Sequence, residues 1–179
     1  MTTVEPIRST KNIKKIEKFL SKNPRDLLLF NIGINCGLRI SDILALNVKD
    51  VKGKHYLQLI EKKTGKFKKL PINKKLKPML KKFVKGRADE EPLFITKFNN
   101  RLSRVTAYFI IKEACKTANL EENFGTHTMR KTFGYHHYKK YHDIAMLQKI
   151  FNHSNPAVTL RYIGIEQDFI EKSIINFIL

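Results

Sequence analysis

Cysteine is nearly absent: Cys36 and Cys115 are the only two in 179 residues, and they lie far apart. A disulfide framework is therefore not what holds this fold, and both thiols read as small core residues in a reducing, cytoplasmic setting. Long apolar runs are missing as well, which excludes a membrane-spanning helix. The N-terminus lacks the charged-then-apolar pattern of a secretion signal. No Ser/Gly-rich linker and no repeat divides the chain, so residues 1–179 read as a single domain. Acidic residues are scarce, 16 against 35 Lys and Arg, leaving a net charge of +19. A field of that sign steers a polyanion in and gains from counterion release when phosphates are neutralised. Ribosomal proteins and membrane-surface binders are also basic, so charge alone points to nucleic acid without naming an activity.

What is present is an ordinary globular share of apolar residues, 42%, in a chain long enough for one sizeable core. Ser9 or Thr10 caps a helix with Ile13, Ile16 and Leu20 on one face. Asn23-Pro24 starts a second helix, apolar from Leu27 to Ile34, which Gly37 ends. Ser41 is placed to cap a short third helix. The period then changes: Tyr56–Ile60 and Phe67–Ile72 read as hairpin strands with Gly65 in the turn. Helical spacing returns over 77–83, with Gly86 as its stop, and Pro92–Thr96 reads as a short extended piece. Ser103 caps a long amphipathic helix, and helices over 127–140, 143–151 and 156–163 precede a tail helix from Glu166. The fold class is mostly α with a small antiparallel β-sheet (α+β).

Several segments carry chemistry. Cys36-Gly37-Leu38-Arg39-Ile40-Ser41-Asp42 puts an arginine just past a helix end, and in His127-Thr128-Met129-Arg130 the i, i+3 spacing puts His127 and Arg130 on one helix face. Glu61-Lys62-Lys63-Thr64-Gly65-Lys66 is a basic hairpin turn. His153 lies nine residues before Tyr162, and Asn155-Pro156 between them is a good helix start that lifts Tyr162 onto a short helix. Phosphodiester transfer needs planar, permanently charged donors for the two non-bridging oxygens, and arginine is that donor. No histidine among the six has a zinc-type partner at ligand spacing, which argues against a metal site.

In this order, over nearly the whole chain, these segments resemble the tyrosine recombinase (phage integrase) family, in its catalytic domain. The resemblance implies that Arg39 and Arg130 clamp the scissile phosphate, that Tyr162 is the nucleophile, and that Lys63 protonates the leaving 5′ oxygen. His127 then accepts the phenolic proton, His153 hydrogen-bonds a phosphate oxygen, and Asp42 orients a cation. Family members usually carry Leu-Gly before the second histidine; here Phe151-Asn152 stands there, and Asn is the next most tolerant residue for a positive φ. Seven further lysines lie between 61 and 77, and most read as solvated or as phosphate contacts. His55, His136, His137 and His142 read as core or surface residues. Tyr56, Tyr108, Tyr135, Tyr138 and Tyr141 read as packing or DNA-facing residues.

The implied activity is site-specific recombination or integration of DNA, as a phage or other mobile element uses, through a 3′-phosphotyrosyl intermediate and without cofactor or metal. Two alternatives stand beside it: a DNA-binding regulator that keeps the fold without recombining, and a type IB topoisomerase-like enzyme. The expected partners are double-stranded DNA, a second copy reached through the tail of residues 166–179, and an accessory protein; no membrane is expected. Typical members are about twice as long and carry an N-terminal core-binding domain, which this chain is expected to lack.

Overall fold

The computed structural model describes residues 4–120 and 123–178. Its elements are α1 (Thr10–Leu20), α2 (Pro24–Cys36), α3 (Ile40–Ala45), a 3-10 turn at Val48–Asp50, β1 (Tyr56–Ile60), β2 (Phe67–Pro71), α4 (Leu76–Phe83), α5 (Arg104–Lys116), α6 (Thr126–Tyr141), α7 (Ile144–Phe151), α8 (Pro156–Ile163) and α9 (Ile165–Ile175). The polar caps are where local chemistry puts them. Ser9, Asn23, Ser103, Asp143 and Asn155 each accept a backbone N–H in the first turn of the helix that follows. Gly37 ends α2 in the left-handed region at φ 61, and Asn152 ends α7 there at φ 54.

One expectation gives way. The N-cap of α3 is Arg39, and Ser41 lies inside the helix; its hydroxyl was the better local cap, but Arg39 is the last extended residue and the backbone turns helical from Ile40. Pro92–Thr96 carries isolated bridges, Asn47 to Pro92 and Ile95 to Arg101.

Helix α2 is the central element, burying Leu28, Leu29, Phe30 and Ile32. The larger core gathers around it from α1 to α5 and reaches Met129 of α6. A smaller cluster holds Leu147, Phe151, Ile163 and Ile165, with Phe133 and Tyr162 packed against it. Helix α6 belongs to both and joins them. Its approach to α2 depends on two glycines: a Cβ on Gly33 would meet Met129 Sδ at 2.6 Å, and one on Gly37 would meet the Phe133 ring at 2.5 Å.

The strands pair antiparallel, Tyr56 with Pro71 through Ile60 with Phe67. Alternation turns Leu57, Leu59, Lys68 and Leu70 inward, and Tyr56, Ile60 and Phe67 outward. At the other end of the chain, Ile165 is buried but Phe169, Ile170, Ile174, Ile175, Phe177 and Ile178 are exposed. Helix α9 stops at Ile175, and Phe177 and Ile178 follow it. Leu179 of the expected tail lies outside the described residues.

Candidate active site

The left-handed turn at Gly37 releases the chain from α2, and buried Leu38 anchors it so that Arg39 emerges at the seam between the two cores. Across that seam α6 presents Arg130, which is 2% exposed. Its Nη1 donates to the Gly37 carbonyl at 2.5 Å and its Nη2 to the Phe151 carbonyl at 2.9 Å. The guanidinium also stacks 4.3 Å from the Phe151 ring centroid. Arg130 thus ties the ends of α2 and α7 together, and the side chain's position is set before any ligand arrives.

Arg39 is held differently. Its Nη1 lies 3.1 Å from Glu61 Oε1, yet no acceptor is aligned with that buried nitrogen for a hydrogen bond. Charge restrains it, while its hydrogen-bonding capacity stays unused. That is the condition expected of a donor kept for an incoming anion.

Glu61 is the hub behind both arginines. Its side chain is fully buried, and Lys68, 8% exposed, donates to its Oε1 at 2.8 Å. Oε2 accepts from Thr64 at 2.7 Å and from Asn152 at 2.9 Å. Burial alone would raise this carboxyl's pKa; the hydrogen bonds from Lys68, Thr64 and Asn152 and the charge of Lys68 override it and hold it at about 2. Lys68 also donates to the Ile150 carbonyl at 2.6 Å. Burial lowers its pKa, against the hydrogen bond and charge of Glu61.

The Tyr162 side is aromatic. Tyr162 packs edge-on against His153, with centroids 5.1 Å apart, and against Phe151 at 5.6 Å. Burial raises the phenol's pKa, opposed by the charges of Arg130 and Arg39. His153 Nδ1 lies 3.0 Å from Thr159 Oγ1, a closer contact than the 3.4 Å from that hydroxyl to the Asn155 carbonyl. When Thr159 donates to Nδ1, the neutral ring carries its proton on Nε2 and can donate to a phosphate oxygen; when Thr159 donates to the Asn155 carbonyl, Nδ1 is the protonated nitrogen. Burial first, then Arg130, Arg39 and Lys68, bring the His153 pKa down to about 4.

Tyr162 and His127 line one open cavity of about 410 Å³ with Lys131, Arg161, Val4 and Val158. Burial, then the charges of Arg130, Arg104, Lys131 and Arg39, lower the pKa of His127. Its neutral ring is thereby available as a proton acceptor. The Lys131 ammonium lies 5.2 Å from the Tyr162 ring centroid.

Of the residues singled out in the sequence, Arg39, Arg130, His127, His153 and Tyr162 converge on this seam. Lys63 does not join them directly: it lies at the exposed hairpin tip and lines a separate basic concavity with Arg101 and Arg104. Asp42 differs from expectation in its contact. Its Oδ1 accepts the backbone N–H of Lys62 at 2.9 Å, so it pins the hairpin rather than gripping a cation, although its charge does support that of Arg130. Sequence reading missed three neighbours of the site: Glu61, Lys68 and Lys131. For the first two a signal was there. Both share the parity of Leu57, Leu59 and Leu70, so both face inward on a hairpin with one buried side. Lys131, next to Arg130, had no such signal. Among the described residues, no group of three His, Cys, Asp or Glu side chains is placed to hold a metal, and no helix is long and apolar enough to cross a membrane.

The chain is similar to known proteins in sequence and in fold. Probable integrase/recombinase YoeC of Bacillus subtilis (strain 168) is 48% identical over 170 residues, covering 94% of this chain and 93% of that protein. Tyrosine recombinase XerA of Pyrococcus horikoshii is 30% identical over 167 residues, covering 90% of this chain but only 58% of its own length. The fold is shared with the lambda integrase dimer solved on a COC′ core site, at a TM-score of 0.72 and 18% identity, covering 91% of this chain and 49% of that one. The profile of the phage integrase family matches residues 9–168, and the chain belongs to that family.

Proposed function

We propose that this protein is a site-specific DNA recombinase that cuts and rejoins duplex DNA in the cytoplasm through a phosphotyrosine. The observation that carries the reading is the convergence of Arg130, Arg39 and Tyr162: a partly buried phenol within the charge of two guanidiniums, one of which has an unsatisfied buried N–H. In the cleavage step the Tyr162 oxygen attacks phosphorus and its proton passes to His127. The bond from phosphorus to the 5′ oxygen breaks, and that oxygen leaves as a hydroxyl with a proton from Lys63. Arg39, Arg130 and His153 stabilise the charge that gathers on the non-bridging oxygens. Because the 3′-phosphotyrosyl ester keeps the bond energy, a 5′ hydroxyl of a second strand reverses the chemistry with no cofactor. A regulator without cleavage activity would need none of this constellation. A topoisomerase-like enzyme would use the same groups but reseal the original strand.

The exposed apolar end of the chain supports self-association. Phe169, Ile170, Ile174 and Ile175 leave α9 largely unpaired with its own core, and a second copy on DNA is the proposed occupant.

The test is covalent trapping on nicked duplexes that carry candidate sites. The wild type forms a protein–DNA adduct and Tyr162→Phe forms none while binding DNA with nearly the same affinity. An adduct that persists in the Phe variant moves the nucleophile to another tyrosine; a wild type that never forms one returns the protein to the regulator reading.

A further inference from the structure

Ile150, Phe151 and Asn152, just before His153, are each tethered to a different part of the site. The Ile150 carbonyl accepts from Lys68, the Phe151 carbonyl from Arg130, and the Asn152 amide donates to Glu61. The hairpin tip is tethered twice. Asp42 holds the Lys62 N–H, and Glu61 holds the Thr64 hydroxyl, so Lys63 sits between two anchored neighbours. The Glu61 backbone closes the same turn, accepting from Gly65 at 2.8 Å and donating to Lys66 at 2.9 Å. Glu61 and Lys68 are therefore the shared node of three parts: the Lys63 tip, Arg39, and the loop that carries His153. Lys68 itself has no access to a leaving group, since its ammonium is buried and committed to Glu61 and the Ile150 carbonyl.

We propose that the buried Glu61–Lys68 pair is a positioning device that couples the hairpin bearing Lys63 to Arg39 and to the His153 loop. The inference rests on the recombinase reading above and adds two residues to it that touch no substrate atom. When the pair is intact, the acid at the hairpin tip, the phosphate clamp and the loop of the second histidine share one rigid frame. When it is cut, each part can drift by a fraction of an ångström to an ångström, and misplacement on that scale costs on the order of 10²-fold in rate.

The test is single-turnover cleavage of nicked DNA by Lys68→Met, Lys68→Arg, Glu61→Gln and the double variant Glu61→Gln/Lys68→Met. Each rate is measured on a normal 5′-oxygen substrate and on one with a 5′-bridging sulfur, alongside DNA affinity. On the oxygen substrate Lys68→Met and Glu61→Gln should each slow cleavage about 10- to 100-fold, with affinity within a few-fold of wild type. Lys68→Arg, which can still reach both acceptors, should recover most of the rate. The double variant should be no slower than the worse single variant, as expected for residues that act as one unit. The sulfur substrate should restore much of the lost rate, because a thiolate leaves without the proton that a displaced Lys63 can no longer deliver. Destabilisation alone would give no leaving-group rescue. Cleavage by Lys68→Met and Glu61→Gln at the wild-type rate overturns the proposal, as do equal defects on both substrates. If Lys68→Met does not fold, Glu61→Gln against Lys68→Arg decides by the same rescue criterion. A wild type inert on both substrates refutes the recombinase reading, and with it the proposal; a wild type that cleaves while the variants behave as wild type refutes the positioning role alone.

Discussion

Acid should destabilise this protein over two pH windows, and Glu61→Gln should remove the lower one. The Glu61 carboxyl has an ordinary pKa of 4.5, and in the fold it is held at about 2. A depressed carboxylate stabilises the native state fully above its unfolded pKa and loses that contribution as pH falls through the folded one. The window is therefore pH 4.5 down to 2. A shift of that size corresponds to about 3 kcal/mol at 1.36 kcal/mol per unit, offset in part by the cost of burying Lys68, whose own pKa is lowered. His153 acts earlier. Its ordinary pKa of 6.5 falls to about 4, so the unfolded chain takes up a proton that the native ring refuses, and stability drains away between pH 6.5 and 4. His127 is lowered too and adds to the same slope. Both rings are only partly buried, so solvent screening reduces their share. The assay is urea unfolding followed by far-UV circular dichroism, at several pH values from 7.5 to 3. Removing one partner of a buried ion pair costs about 3–5 kcal/mol, so the gap between wild type and Glu61→Gln should be of that order at pH 7. It should narrow below pH 4.5, where the unfolded wild-type chain takes up a proton that native Glu61 refuses. A gap that stays constant from pH 7 to 3 would refute the buried-carboxylate argument, and a flat wild-type stability from pH 6.5 to 4 would refute the histidine one.

Lys63→Ala should slow cleavage, and a 5′-sulfur leaving group should restore much of the rate; if Lys62→Ala shows that rescue and Lys63→Ala does not, the acid is the neighbouring lysine. Titration with salt should weaken DNA binding steeply, log K falling by about 0.9 per log unit of salt for each phosphate neutralised, and a nearly salt-independent affinity would remove the argument from charge. Deleting residues 166–179 should impair multiple-site assembly and recombination more than single-site binding, measured by mobility shift on one-site and two-site duplexes. Unfolding of the truncated protein would instead assign the tail to its own core. Chelator should leave cleavage unchanged, as a site built on two arginines and a lysine requires, and inhibition by chelator that added divalent metal reverses would contradict that.

The sequence by itself determined what depends on near neighbours. Ser9, Asn23, Ser103 and Asn155 cap helices because each side chain reaches its own first turn, and Gly37 and Asn152 end helices because few other residues accept a positive φ. The order of Arg39, His127-x-x-Arg130 and His153 before Tyr162 was readable for the same reason, as a pattern within short segments. The hairpin strands followed from a change of period, and with them the inward parity of Glu61 and Lys68. Their pairing was a matter for the tertiary structure. Strand parity turns Lys68 inward, but it is buried because the end of α7, some 82 residues later, brings a carbonyl over it, and nothing in the strand marks which distant helix will cover it. The same holds for Lys131 over the Tyr162 ring, for Asp42 turning to a backbone amide, and for Arg39 displacing Ser41 as a helix cap. A charge becomes structural only when a fold removes its water, and which charge loses its water is settled by packing between elements far apart in the chain.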